Sequence, residues 1–497
     1  MKKIKAKKGF TLIEILAVII ILAVIALIAT PIIINVMESA RKKAFENSVY
    51  GVMETYKLNM LNNIEEIEII GKSYTFPEAN SNLKYSGTKM TGGSIFLDYE
   101  KDIEVRQLTD GRYCASGNKT NLVVKKGDCQ IDMANAPVLR VADVGVIGDT
   151  FITRVAGTEN IESIEVIMVG EFPDEAVDVS DKKNGSVMLW TKDKNDDDRP
   201  EVYIGAINDY VYANPNTSHL FYRFYLNLEE KDLSNFDTSL ATNMYRMFDS
   251  TGSNNIKFTL NLGKHFDTNN VENMENMFYR IGYNSTVFTL NLGNKFDTSN
   301  VTNMGGMFYD VGYNSSKFTL SLGNKFDTSN VTNMGSMFRG TGYNSTVFTL
   351  NLGNKFDTSN VTNMSNMFHS TGSYSQRFTL NLENRFNTSK VTNMREMFTA
   401  AGANNPNFTL NLGKNFDTGN VTDMNAMFSG TGRNSEKYTL DLGSKFSVDS
   451  AKNTFNTFGD YTGTVKPGFK PTATVKTQAE KDAILAKFPN IDITIKP

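Results

Sequence analysis

Hydrophobic and polar positions follow four different rules along the chain. From Phe10 to Ile34 there is almost no polar position, and Glu14 alone interrupts the run behind Lys2, Lys3, Lys5, Lys7 and Lys8. As a helix, this stretch is roughly 37 Å long at ~1.5 Å per residue. That exceeds the ~30 Å hydrocarbon core, so the pattern predicts a bilayer-spanning helix with its lysine-rich end inside. From Glu38 the pattern becomes amphipathic, with Val49, Val52, Met53, Tyr56 and Met60 at spacings of three and four. Between 63 and 135 the period falls to two. Ser94–Tyr99 and Ile103–Leu108 read as strands, and Asp110-Gly111 marks a hairpin before Cys114. In 136–230, Ile161–Val169, Ser186–Thr191 and Glu201–Ile204 continue the strand pattern.

The fourth rule is a repeat. Phenylalanine recurs at Phe236, Phe266, Phe296, Phe326, Phe356, Phe386, Phe416 and Phe446, with no insertion between copies. The unit is F-D-T-S-N-V-T-N-M-x-x-M-F-x-x-x-G-Y-N-S-x-x-F-T-L-N-L-G-x-x. Such regularity predicts a solenoid in which each coil lends its neighbour a core face. Phe288-Thr289-Leu290-Asn291-Leu292 alternates, so it is expected to be a strand with Phe and Leu inward, stacked on its copies in a parallel sheet. Met304, Met307 and Phe308 have the spacing of one helical turn, and their side chains read as core filler. Gly312 is expected to take a positive φ. Asn303, Asn333 and Asn363 are expected to form a ladder that satisfies turn carbonyls. Tyr283, Tyr313, Tyr343 and Tyr374 recur beside the glycine turn, either as a packing ladder or as a surface that stacks on a sugar or peptide. After 450 the period ends. Lys476–Lys487 reads as a helix and Ile491–Ile495 as a strand, together a C-terminal cap.

Composition narrows the function. A net charge of −3 supplies no basic field for nucleic acid. The three histidines do not cluster, and GxSxG, HExxH and Walker patterns are missing, so neither an enzyme nor a cofactor is expected. Asp193, Asn195 and Asp197 start like a calcium loop, but Asp198 stands where glycine is wanted, and a solvated hairpin tip fits better. Outside the cytoplasm, Cys114 and Cys129 would form one disulfide worth roughly 3 kcal/mol; two free thiols are the alternative.

Two resemblances add to this. Lys7-Lys8-Gly9-Phe10-Thr11-Leu12-Ile13-Glu14 resembles the type IV prepilin processing motif, and the likeness runs to about Asn62. It implies a prepilin peptidase cutting between Gly9 and Phe10, N-methylation of Phe10, pairing of Glu14 with the amino terminus of a neighbouring pilin subunit, and a helix kink at Pro31. The repeat unit resembles the BspA-like leucine-rich-repeat surface proteins of bacteria, with a longer unit and an inserted G-Y-N-S segment. That implies attachment or host contact through an extracellular protein or glycan.

The expected fold is α+β and multidomain. It comprises a leader (1–9), a pilin helix (10–62, with 10–34 transmembrane), a pilin-like β head (63–135) and a β-rich N-terminal cap (136–230). A solenoid of about seven coils (231–450) and a C-terminal cap (451–497) follow. The precursor would sit in the cytoplasmic membrane and the mature subunit at the cell surface or in a pilus, as a minor or tip component. The competing functions are a pseudopilin-like part of a secretion or DNA-uptake machine, with the repeats as scaffold, and a hydrolase housed in 136–230.

Overall fold

The computed structural model describes residues 36–59, 74–76, 79, 83–97, 103–117, 119, 122–126, 136–141, 151–158, 161–194, 198–207, 209–224, 233, 235–262, 265–293, 295–382, 386–436, 438–459 and 470–496. Most of the regular structure is strand, with few helices, and two compact units meet at Asn135/Ala136 in the chain.

In the first unit a helix, α1, spans 36–59. It is followed by β1 (Tyr74–Thr75), β2 (Gly92–Leu97), β3 (Ile103–Thr109), β4 (Tyr113–Gly117) and β5 (Val123–Lys126). The strands form an antiparallel meander in chain order. The three-and-four spacing of α1 has the expected consequence: Val49, Val52, Met53 and Tyr56, joined by Phe45, are buried against Ile95, Val105, Leu108 and Tyr113. The Phe45 and Tyr113 rings stack at 5.7 Å. At the β3–β4 hairpin, Asp110 Oδ1 accepts from the N–H of Arg112 and of Tyr113, both at 2.9 Å, and Gly111 takes a φ of +83°.

The second unit opens with α2 (Phe151–Ala156), β6 (Ser163–Val169), β7 (Val177–Asp178), β8 (Met188–Lys192) and β9 (Glu201–Ile207). The sheet order is β6-β9-β8-β7; β8 and β9 form the hairpin expected from the sequence, and β6 adds to β9 in parallel. Next come β10 (Val211–Tyr212) and β11 (Phe236–Asp237), which pair in parallel. Repeat-type pairing therefore begins at Val211, inside the segment expected to be a separate cap. An Asn216–Asn243 bridge and a left-handed His219 mark the same start.

The repeat strands are β12 (Lys257–Asn261), β13 (Val287–Asn291), β14 (Lys317–Ser321) and β15 (Val347–Asn351), followed by β16 (Leu380–Asn381) and β17 (Leu410–Asn411). β12 to β15 form one parallel sheet and β16–β17 another, each residue facing its own copy 30 positions on, as in Phe258↔Phe288. These parallel sheets are compatible with a solenoid. Phe288 is buried while Thr289 and Asn291 face outward, as the alternation requires. Phe248, Phe278, Phe308, Phe338, Phe368, Phe398, Phe428 and Phe458 stack in one column with centroids 5.2–5.7 Å apart. Each of these buried rings contributes up to roughly 1.5–3 kcal/mol of burial free energy.

The methionine segment is not a helical turn. Met304, Met307 and Phe308 are fully buried, but the backbone runs as successive turns with left-handed residues at Gly306 and Asp310. Met307 N–H bonds Met304 O at 3.2 Å, whereas Met304 N–H and Phe308 N–H donate to Asn333 O and Met337 O of the next repeat. The i, i+3, i+4 spacing reported inward direction correctly and backbone conformation wrongly. Half of the amides here bond between repeats, and only a neighbouring repeat can supply that partner.

The chain then forms β18 (Thr472–Val475), α3 (Gln478–Lys487) and β19 (Asp492–Ile495). β18 continues the strand stack through an Asp441–Thr472 bridge. Thr477 and Glu480 form a capping box at the start of α3, and Phe488 packs edge-on against Phe458 at 4.9 Å.

Candidate functional site

The turn after each M-x-x-M-F segment carries the residues that differ most between repeats. Gly282, Gly312, Gly342 and Gly372 hold φ values of +55° to +58°, as expected for the conserved turn glycine of the unit. At Gly342 a side chain is doubly excluded, because a Cβ would lie 2.5 Å from Phe348 Cγ.

One place further on, Tyr283, Tyr313 and Tyr343 form a ladder with ring centroids 4.7 and 4.4 Å apart. A second ladder, Tyr279–Tyr309, stacks at 4.5 Å. The Arg280 guanidinium covers the Tyr283 ring at 4.2 Å, Arg339 lies over Tyr309 at 5.3 Å, and Arg246 sits 5.5 Å from both Tyr245 and Tyr279. These rings spend their faces on one another and on arginine. Burial raises the Tyr279, Tyr309 and Tyr313 phenols above their ordinary value, so none serves as a base near neutrality.

Tyr374 is different. It stands one residue beyond the tyrosine column, whose place Ser373 occupies, and its ring is tilted 58° to that of Tyr343 at 5.1 Å. It is also the exposed member of the set, at 47%. The sequence groups four tyrosines by their nearness to glycine; the structure separates three that stack face to face from one that is tilted and half-exposed. Sequence reasoning also missed Arg280 and Arg339, whose only signal is their place among variable positions.

The asparagine ladder exists, but it satisfies amides rather than carbonyls. Asn333 Nδ2 donates to Asn303 Oδ1 at 3.0 Å, and Asn333 Oδ1 accepts from Gly335 N–H at 3.0 Å. A parallel threonine ladder lies inside: Thr328 Oγ1 donates to Asp357 O at 2.6 Å and accepts from Asp357 N–H at 2.7 Å. A polar cavity of about 460 Å³ lies along the Asp327 and Asp357 column. Its carboxylates are engaged by their own turns, as where Asp327 Oδ1 accepts from Ser329 N–H at 3.0 Å, and by Lys355.

Most of the other sequence-derived residues lie outside the described residues. Cys114 lies half-buried in β4, and Cys129 lies outside the described residues. Gly9, Phe10, Glu14 and Pro31 lie outside them as well, as do Asn195 and Asp197. Asp193 Oδ2 accepts from Asp198 N–H at 3.1 Å. Among the described residues no group of three His, Cys, Asp or Glu side chains could hold a metal, and no helix is long and apolar enough to cross a membrane.

Comparison with known families bears on two regions of the chain. Residues 4–30 match the prokaryotic N-terminal methylation motif. Residues 215–320, 282–409 and 311–441 match the family described as Mycoplasma protein of unknown function, DUF285. No curated protein and no solved structure matches the chain. The chain therefore joins a prepilin-like N-terminal methylation motif to a region of DUF285-family repeats.

Proposed function

We propose that this chain is a pilin-like subunit that displays its repeats outside the cell for adhesion, as a minor or tip component and without catalysis of its own. The observation that carries this is the fusion itself: a prepilin methylation motif at 4–30 ahead of repeats at 215–441. The motif implies processing by a prepilin peptidase and assembly with other pilins. It also implies a membrane-held precursor whose Phe10–Ile34 run later packs in a fibre. Glu14 is the assembly residue, since a carboxylate within an apolar run needs a cationic partner. Cys114 and Cys129 pair once outside the cytoplasm. The size of the repeat unit favours low occupancy along a thin fibre.

Mass spectrometry of the mature protein tests the first step: an amino terminus of N-methylated Phe10 is expected, and an intact Met1 sinks the reading. Immunogold labelling tests the second. Label on extended surface fibres is expected, while label confined to the envelope points to the pseudopilin-like alternative. Glu14→Ala is expected to leave processing intact and abolish incorporation into fibres.

A further inference from the structure

Beside the tyrosine ladder runs a column of amides. Asn284 Nδ2 donates to Asn254 Oδ1 at 2.6 Å, Asn314 Nδ2 to Asn284 Oδ1 at 2.7 Å, and Asn344 Nδ2 to Asn314 Oδ1 at 3.2 Å. The column resumes where Asn434 Nδ2 donates to Asn404 Oδ1 at 2.6 Å. The place between Asn344 and Asn404 belongs to Tyr374. Its backbone keeps the register, because Tyr374 N–H bonds Tyr343 O just as Asn344 N–H bonds Tyr313 O.

A phenol ring cannot relay an amide hydrogen bond. The interruption leaves two amide atoms without a protein partner among the described residues: the acceptor Asn344 Oδ1 on one side and the donor Asn404 Nδ2 on the other. The residue that holds the place between them, Tyr374, carries a half-exposed ring. Tyr313 is sandwiched by Tyr283 and Tyr343, but no ring follows Tyr374, because the next repeat offers Ala403 and Asn404.

We infer that Tyr374, Asn344 and Asn404 form a subsite for a neutral sugar ring of a surface glycan. The inference rests on the adhesive reading and names its ligand class. The aromatic plate supports the apolar C–H face of a pyranose, and the flanking amide acceptor and donor take hydroxyls at its two edges. The amides stand two repeat steps apart, roughly 9.6 Å at ~4.8 Å per step, which accommodates one ring with a hydrogen bond at each edge. Asn344, Tyr374 and Asn404 themselves, and the next residues Ser345, Ser375 and Asn405, carry no charge, so an uncharged ligand is favoured over an anionic polymer.

The test uses the detergent-solubilised full chain with immobilised chitotriose, cellotriose and mannotriose. At least one is expected to bind. Tyr374→Asn rebuilds the amide column, so it should weaken binding at least tenfold while leaving the unfolding temperature unchanged or raised. Tyr374→Phe keeps the plate and should stay within threefold of the native chain. Failure of all three sugars to bind the native chain overturns the inference, as does equal binding by Tyr374→Asn. Cell adhesion that survives both Tyr374→Asn and excess sugar overturns the sugar site but leaves the adhesive reading standing. A chain that never reaches the surface overturns the adhesive reading, while the titration still decides the sugar site.

Discussion

The α1–meander unit and the repeats bury similar side chains by opposite means. In the first, each buried residue meets a partner of another kind from a distant part of the sequence, as Phe45 meets Tyr113. In the second, each meets its own copy one repeat away, as Phe308 lies between Phe278 and Phe338. The first kind of packing depends on one long-range register. The second depends only on the 30-residue period, and its stability accumulates as interface terms between neighbours.

Truncating one buried methionine in each unit should break this contrast most visibly. Met53→Ala and Met337→Ala each remove a side chain no more than 3% exposed, and each should cost about 3 kcal/mol. Amide exchange in the repeats should rise most in those bordering Met337 and fade with distance, whereas in the first unit it should rise across α1 and the meander together. Uniform loss of protection along all repeats would refute nearest-neighbour additivity. Next in size are the left-handed glycines. Gly342→Ala combines an unfavourable φ with a Cβ driven against Phe348, an expected loss of about 2–3 kcal/mol by thermal unfolding. Gly111→Ala meets nothing closer than Thr91 Oγ1 at 3.9 Å and should cost only the conformational part, about 1 kcal/mol. Equal losses would show that the close approach of Phe348 to the turn glycine adds nothing. Thr328→Val deletes two hydrogen bonds of the internal ladder and should cost about 1–2 kcal/mol, read as a fall in midpoint with unchanged denaturant slope.

The smallest effect is a pair of opposed titrations within the repeats. Burial, reinforced by Arg339, lowers His369 to about 4 from an ordinary 6.5. The unfolded chain therefore binds that proton first, and stability is lost as pH falls from about 6.5 to about 4. Burial raises Asp310 to about 6 from 3.8, against the pull of Arg280 and Arg339. There the folded chain binds the proton first, and stability is gained as pH falls through about 6 toward 3.8. Between pH 6 and 4 the two contributions oppose each other. Relative to the native chain, the Tm of His369→Asn should fall less on acidification over this window, and that of Asp310→Asn should fall more. Either variant moving the other way would refute its assignment.

Much of this was legible in the sequence because it follows from local rules. The inward faces of α1 and of the F-T-L-N-L strands come from spacing alone, since side-chain direction is set by backbone period. The hairpin at Asp110-Gly111 and the left-handed turn glycines come from the same kind of rule. The methionine segment was misjudged because three buried residues at helical spacing do not require a helix when half of the amides find partners in the next repeat. Left-handed Arg246, Ser336 and Asn366 were invisible for the same reason. Asparagine alone of the three has some preference for that conformation, and bonds between repeats hold all of them in it.

The sequence by itself determined the prepilin-like motif, the repeat period and the division of inner from outer positions. Those are properties of single residues and of their spacing. Tertiary structure decided which outer residues are available. Tyr313 and Tyr374 lie beside equivalent glycines, yet one ring is closed between two others and the other has a ring on one side only, at a break in the amide column. Whether a ring packs or presents itself depends on what the neighbouring repeats place about 4.8 Å to either side, and a shift of one residue is enough to change that neighbour.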